Sequence, residues 1–508
     1  MRNILWQVPV LHPASPLFAD AERNGYLVRR PDGSVSFREH WLAGFANIDM
    51  TNPAAVAWWQ DLMRPLVRAG VAGFKADDGE DIKPTDVFHD TRRGWQLHNE
   101  YSVLYARAIA ELFEQEHVDG ILWARSGSLG QQRYPALWAG DQAATWGQMR
   151  TLIPAGLSAG LSGMPFWGHD IGGYAGQPSP ELYIRWVQLG TLSPMMQYHG
   201  IHAREPWLFG DEAEDAYTLA ARARTRLIPY LQAAADVATD TGVPIMRPMS
   251  LPFPDDPRFA HEDTQYMLGD DLLVAPVLTP GSPGREVLIP AGRWRLATQR
   301  VEYQGPAKVR VPIGLVDLPV LVRADASIEL VEQSESAPML TDLSVPLRAS
   351  TAPTPVSVRF RAPDPGDIRV QWRWRDAGTW RAAPITAVGR AVTVDLTPPP
   401  EERTPGRRQV YRVFCGQTGS PAELLHTEVW YQTPIEFEVV GPPPTIGSVP
   451  ASIAVRVRNT VDEPFEGTAR WVSEDARAAG PASRDVRLAP GETTTLTWST
   501  ARSNDRVG

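Results

Sequence analysis

Apolar and polar positions follow two textures along this chain, and the change falls near residue 243. In the first, short apolar runs end in polar turns near residues 3–8, 71–76, 120–125, 136–140, 163–168 and 193–198. Apolar runs of this length, bounded by turns, read as buried strands. Between them, AAVAWWQDLMRPLVRAG, WQLHNEYSVLYARAIAELFEQEH, QMRTLIPAGLSAGLSG, ELYIRWVQLG and DAYTLAARARTRLIPYLQAAADVATDTG read as helices. Thr51 or Asn52 caps the first, with Pro53 in its opening turn, and Gly70, Gly163 and Gly242 close three of them. Strand alternating with helix predicts an α/β fold built on a parallel sheet, here a (β/α)8 TIM barrel over residues 1–242. Six apolar runs are present where closure needs eight, so the barrel reads as lacking its first strands.

In the second texture, LLVAPV, REVLIP, RWRLA, KVRVPI and LPVLVRA are short strands with Gly and Pro turns, a β-sandwich over 243–330. Residues 331–350 read as a linker. VSVRFRAP, IRVQWRW, AVTVDL, QVYRVF and IEFEVV then alternate with period two, as half-buried antiparallel strands do. They predict an immunoglobulin- or fibronectin-like sandwich over 351–440, a break at PPPT, and a second such domain over 441–508, incomplete at its end. A spacing and shielding role is expected for these two, rather than sugar binding.

Composition narrows the function. A net charge of -10 argues against nucleic acid and anionic membranes as partners. Cys415 is the only cysteine, which rules out an intrachain disulfide and Cys-based zinc sites. The opening MRNILWQVPVL is no secretory signal, and no apolar stretch is long enough to span a bilayer, so a cytoplasmic location is expected. Oligomerisation is left open.

The candidate chemistry sits at the strand ends. FKADDGE, WARS, LWAGD and MPFWGHD each place a charge just past an apolar run, where TIM barrels carry catalytic groups. Asp77, Asp141 and Asp170 could thus converge on one pocket, with Trp side chains around them. A carboxylate pair in an aromatic pocket suits glycoside hydrolysis: one stabilises or attacks the anomeric centre, the other protonates the leaving oxygen. The WAG run before Asp141 supplies an apolar wall that favours its protonated form. His169, Asp170 and His199 match no strong metal-ligand spacing, so neither metal nor cofactor is expected. ARSGSLG lacks the partners of a nucleophile elbow, and GHDIGG lacks the Lys-Ser/Thr of a phosphate loop.

FKADDGE, WARSGSLGQQRYPALWAGD, GLSAGLSGMPFWGHDIGGY, ELYIRWVQLGTLSPMMQYHG and REPW, in this order, resemble glycoside hydrolase family 31. RPMSLPFPDD, QYMLGDDLLVAPV and LPVLVRADA continue the likeness to about residue 330. The resemblance implies a retaining exo-α-glycosidase acting on terminal glucosyl or xylosyl residues of oligo- or aryl α-glycosides. It implies Asp77 as nucleophile and Asp141 as acid/base. Lys75, Arg125, Asp170 and His199 match its sugar-contacting positions, with Trp6, Trp167 and Tyr174 as further substrate-binding residues. NILWQVPV resembles the family's third barrel strand, so an N-terminally truncated enzyme is expected, inactive on its own. Asp78 stands where relatives carry an aromatic or apolar residue, and its charge is expected to oppose ionisation of Asp77. Glu80, Asp78, Asp49 and His202 receive no role. Two rival readings are a non-catalytic carbohydrate-binding remnant and a sulfoquinovosidase-like specificity, which shares WAGDQ.

Overall fold

The computed structural model describes residues 2–331, 339–350, 356–362, 365–415, 422–432, 435–440, 452–462, 464–470, 478–479 and 483–500. The chain divides into two units, Met1–Val274 and Ala275–Gly508. The sequence texture changes earlier, at 242/243, because antiparallel strands already begin in the first unit at Met246–Pro248.

Five parallel strands organise the first unit: β1 Asn3–Gln7, β2 Val71–Ala76, β3 Ile121–Ala124, β4 Ala136–Trp138 and β5 Phe166–Gly168. They lie side by side in chain order. Five longer helices accompany them: α1 Pro53–Arg68, α2 Gly94–Gln115, α3 Trp146–Leu161, α4 Pro180–Thr191 and α5 Asp211–Thr241. Asn52 caps α1 by accepting from the Ala54 N–H at 3.0 Å, and Pro53 occupies its first turn. Gly242 closes α5 in the left-handed region. Helices and sheet share an apolar core, in which Phe74 of β2 stacks on Phe113 of α2 and Trp59 of α1 meets Tyr105 of α2 edge-on. This is the barrel-type α/β architecture that the strand–helix alternation predicts.

Two apolar runs behave differently from the expectation. The run at 193–198 forms no strand; only an isolated parallel bridge joins Asp170 and Gln197. Pro194 brings no N–H to a ladder. The guanidinium of Arg224 donates to the carbonyls of Thr191, Ser193 and Pro194, diverting three acceptors. The β1 run is not buried: Ile4, Leu5 and Trp6 are exposed, because β1 is the edge strand of this sheet.

Between β1 and α1 the chain makes an excursion, pinned at its base where Val10–Leu11 pairs antiparallel with Ala46–Asn47. Within it the Arg38 N–H donates to Phe45 O and the Gly44 N–H to Arg38 O, closing a tight loop that carries Trp41. Three short antiparallel strands, Met246–Pro248, Tyr266–Leu268 and Leu272–Val274, end the unit.

Among its described residues the second unit is built on β-strands, with short 3-10 turns at Pro365–Asp367 and Pro400–Glu402. Gly284–Leu296 pairs antiparallel with Glu302–Pro312 and with Val320–Arg323. A four-stranded and a five-stranded sheet follow over Thr341–Gln432. Thr341–Ser344 and Arg348–Ser350 are strands, so the expected linker is structured over its second part. Leu343, Val345, Leu347 and Ala349 are buried there, a period-two pattern. Residues 332–338 of that linker, and the PPPT break, lie outside the described residues. Further strands run at Ile435–Val440, Ser452–Asn459, Phe465–Arg470, Ser483–Leu488 and Thr493–Thr500.

Candidate active site

Sheet register sets the site. Trp6 of β1 pairs with Lys75 of β2, and Lys75 with Trp123 of β3. Paired residues of neighbouring strands point the same way, so these three form one row just below the strand ends. The Lys75 ammonium lies 4.4 Å from the Trp138 ring and 5.7 Å from that of Trp123, a cation held on two indole faces.

Asp77 follows β2 directly and is buried. One oxygen accepts from the Trp6 indole N–H at 2.8 Å. The other accepts from the Asp78 backbone N–H at 2.8 Å and from Arg125 Nη1 at 3.2 Å. Donors to both oxygens fix the plane of this carboxylate.

Arg125 follows β3, locked by its own N–H on Ala76 O at 3.0 Å. Its Nη1 also reaches Asp141 Oδ2 at 3.3 Å, and its Nε pairs with Glu80 Oε1 at 2.9 Å. One guanidinium thus gathers Asp77, Asp141 and Glu80. Burial raises the Glu80 carboxyl, against the pull of Arg125. Asp141 is far more exposed than Asp77 and stands on the loop after β4.

Asp170, two residues past β5, is fully buried. Its Oδ1 accepts from Gln197 Nε2 at 2.5 Å and faces Lys75 Nζ at 4.0 Å, while Oδ2 has no partner among the described residues. Burial pushes its carboxyl up to about 7, partly opposed by Lys75. Burial likewise lowers Lys75. At neutral pH Asp170 is poised between its charged and neutral forms.

His199 stacks obliquely on Tyr174, ring centres 5.4 Å apart, and burial lowers its pKa, keeping it neutral at pH 7. The loop bearing Tyr174 is held by Arg204, the arginine of REPW, which donates to the carbonyls of Gly173 at 2.6 Å and Gly176 at 2.8 Å. His169 is buried and pushed down to about 3. Its Nδ1 accepts from Trp186 Nε1 at 3.1 Å, so Nε2 carries the proton toward Ser193 Oγ at 3.2 Å.

Trp6, Lys75, Asp77, Arg125, Asp141, Asp170, Tyr174 and His199 therefore surround one region. Trp167 does not join them. It packs on α3, where a Cβ at Gly156 would come within 2.6 Å of its ring. Alternation on a strand apolar on both faces hides which Trp faces the pocket. The sequence also missed Trp123, Trp138, Glu80 and Gln197. Trp41, 46% exposed, meets Trp6 edge-on at 6.4 Å and lies under Arg125 at 6.0 Å, so the excursion borders the site. Asp78 turns away from the pocket to Arg38, contrary to the expected repulsive neighbour. Among the described residues no group of three or more His, Cys, Asp or Glu is placed to hold a metal ion, and no helix is long and apolar enough to cross a membrane.

Residues 1–234 match the glycosyl hydrolases family 31 TIM-barrel domain, and residues 242–328 match the glycosyl hydrolase family 31 C-terminal domain. The chain belongs to glycosyl hydrolase family 31. An alpha-xylosidase of Emericella nidulans is 38% identical over 335 residues, which are 63% of this family 31 chain and 42% of that enzyme. Alpha-xylosidase XylQ of Lactiplantibacillus pentosus is 38% identical over 344 residues, 66% of this chain and 45% of XylQ. The cycloalternan-degrading enzyme of Trueperella pyogenes, solved in complex with a covalent intermediate, superposes with a TM-score of 0.61 at 33% identity, covering 64% of this chain and 48% of that one. The chain thus spans less than half the length of these family 31 relatives.

Proposed function

We propose that this chain carries the catalytic centre of a retaining exo-α-glycosidase acting on terminal α-xylosyl or α-glucosyl residues. One observation carries the reading: Arg125 Nη1 holds Asp77 and Asp141 at 3.2 and 3.3 Å. Oxygens sharing one nitrogen at these distances lie at or below the lower end of the span, about 6.5–9.5 Å, that an inverting pair needs to admit water, and reach the spacing of about 5–5.5 Å of a retaining pair.

Asp77 is the nucleophile, because its carboxylate is fixed by donors on both oxygens. Asp141 is the acid/base, because it is the more exposed member and can meet both leaving group and water. In the first step a bond forms between an Asp77 oxygen and C1, the bond from C1 to the leaving oxygen breaks, and the Asp141 proton passes to that oxygen. In the second, water gives its proton to Asp141 as its oxygen bonds C1, and the C1–Asp77 bond breaks. Asp170 Oδ2 and the indole N–H groups of Trp123 and Trp138 have no partner among the described residues, which suits them to sugar hydroxyls.

Two measurements test this. Proton NMR of early product from an aryl α-xyloside or α-glucoside should show the α-anomer first; first release of the β-anomer would reject retention. Asp141→Ala should lose about 100-fold or more on substrates with poor leaving groups and far less on glycosyl fluorides, with azide yielding an α-glycosyl azide. Equal loss on both, without azide product, would remove Asp141 from its role.

A further inference from the structure

Asp77 and Asp78 are consecutive acids at one strand end, yet their carboxylates part. Asp78 has φ 67 and Gly79 φ 94, so the chain turns through the left-handed region immediately after Asp77. That turn sends the Asp78 side chain behind the pocket wall, where Arg38 Nη1 receives it. Arg38 Nε also pairs with Asp81 Oδ2 at 3.0 Å. The side chains of Arg38 and Asp78 are 2% and 3% exposed. The Asp78 peptide stays in the pocket wall: its N–H donates to Asp77 Oδ1 at 2.8 Å, and its carbonyl accepts from Ser126 Oγ at 2.6 Å. Asn47 Nδ2, at the base of the excursion, donates to Asp81 O at 2.9 Å.

A left-handed aspartate is strained, and a buried carboxylate without a counterion is costly. Arg38 answers both: the ion pair offsets the burial and holds the turn. Without it Asp78 would seek water or a cation, and one cation of the pocket, Arg125, is already partner of Asp77 and Asp141.

We propose that Arg38, from the excursion, is a positioning residue for the nucleophile: by drawing the Asp78 carboxylate out of the pocket it keeps that charge off Asp77 and keeps the Asp78 N–H on Asp77 Oδ1. This rests on Asp77 being the nucleophile. It also makes the excursion part of the catalytic apparatus.

The test is a rescue cycle on an aryl α-glycoside. Arg38→Met should lower kcat by about 100-fold, the scale of breaking a buried pair, with KM changed by less than about 3-fold. Arg38→Met/Asp78→Asn, which removes the Asp78 charge and leaves only Asp81 without its arginine, should regain at least about 10-fold of that kcat. Arg38→Lys, which keeps a cation for Asp78, should retain most of kcat and serves if Arg38→Met does not fold. A double variant no faster than folded Arg38→Met, a loss confined to KM, or an Arg38→Lys as slow as Arg38→Met would overturn the proposal. A crystal structure of the Arg38→Met or Arg38→Lys variant reads positioning apart from turnover. Asp78 should swing into the pocket in the former and stay in place in the latter. An undisturbed Asp78 in Arg38→Met, or a displaced one in Arg38→Lys, would refute the proposal. If the wild type turns nothing over, the crystal structures of the two variants alone decide the proposal.

Discussion

Asp77 and Asp170 are both buried carboxylates, and their surroundings give them different work. Asp77 has donors on both oxygens, whereas Asp170 has Gln197 at one oxygen, Lys75 4.0 Å away, and a second oxygen with no partner among the described residues. Burial raises Asp170 from 3.8 to about 7. An acid raised on folding favours the folded state fully below its ordinary pKa and loses that contribution as pH rises through the folded value. Wild-type thermal stability should therefore fall between about pH 4 and about pH 7 more steeply than that of Asp170→Asn. Thermal unfolding of both across that range checks this, and parallel curves would contradict it. At this scale the charged residues were legible, because each follows an apolar run directly. The aromatic ones were less so. Trp123 and Trp138 flank Lys75 while Trp167 packs on α3, and a strand buried on both faces carries no sequence mark of which side faces the pocket.

Element by element, strands and helices formed where apolar runs and caps agreed, as in β2 followed by its turn or α1 behind Asn52 and Pro53. The 193–198 run shows what the pattern cannot carry: its apolar residues are buried or half-buried, but Pro194 and the Arg224 guanidinium remove the ladder. Arg224 is distant in sequence, so no local reading could include it. Arg204 acts similarly on the loop after β5, where its guanidinium takes the carbonyls of Gly173 and Gly176. Arg204→Met would strand the buried Gly173 carbonyl, at about 1–3 kcal/mol, and release that of Gly176. It should lower the thermal midpoint, expose residues 172–176 to limited proteolysis, and raise KM through displaced Tyr174. Wild-type proteolysis and KM in the variant would contradict the assigned hold.

For the whole molecule, the chain joins a barrel-type unit to β-sheet domains and spans 42–45% of the length of the two alpha-xylosidases. The excursion after β1, read from sequence only as a digression, brings Trp41 to the pocket and Arg38 to the loop that follows β2. Long-range ion pairs such as this are invisible to periodicity, which reports burial but not partners. The central claim is that Asp77 is the nucleophile. Incubating the active enzyme with a 5-fluoro-α-glycosyl fluoride and mapping the labelled peptide by mass spectrometry tests it most directly. The label should appear on Asp77, with loss of activity that recovers as the glycosyl-enzyme turns over. A label on Asp78, Glu80 or Asp141 would contradict the account.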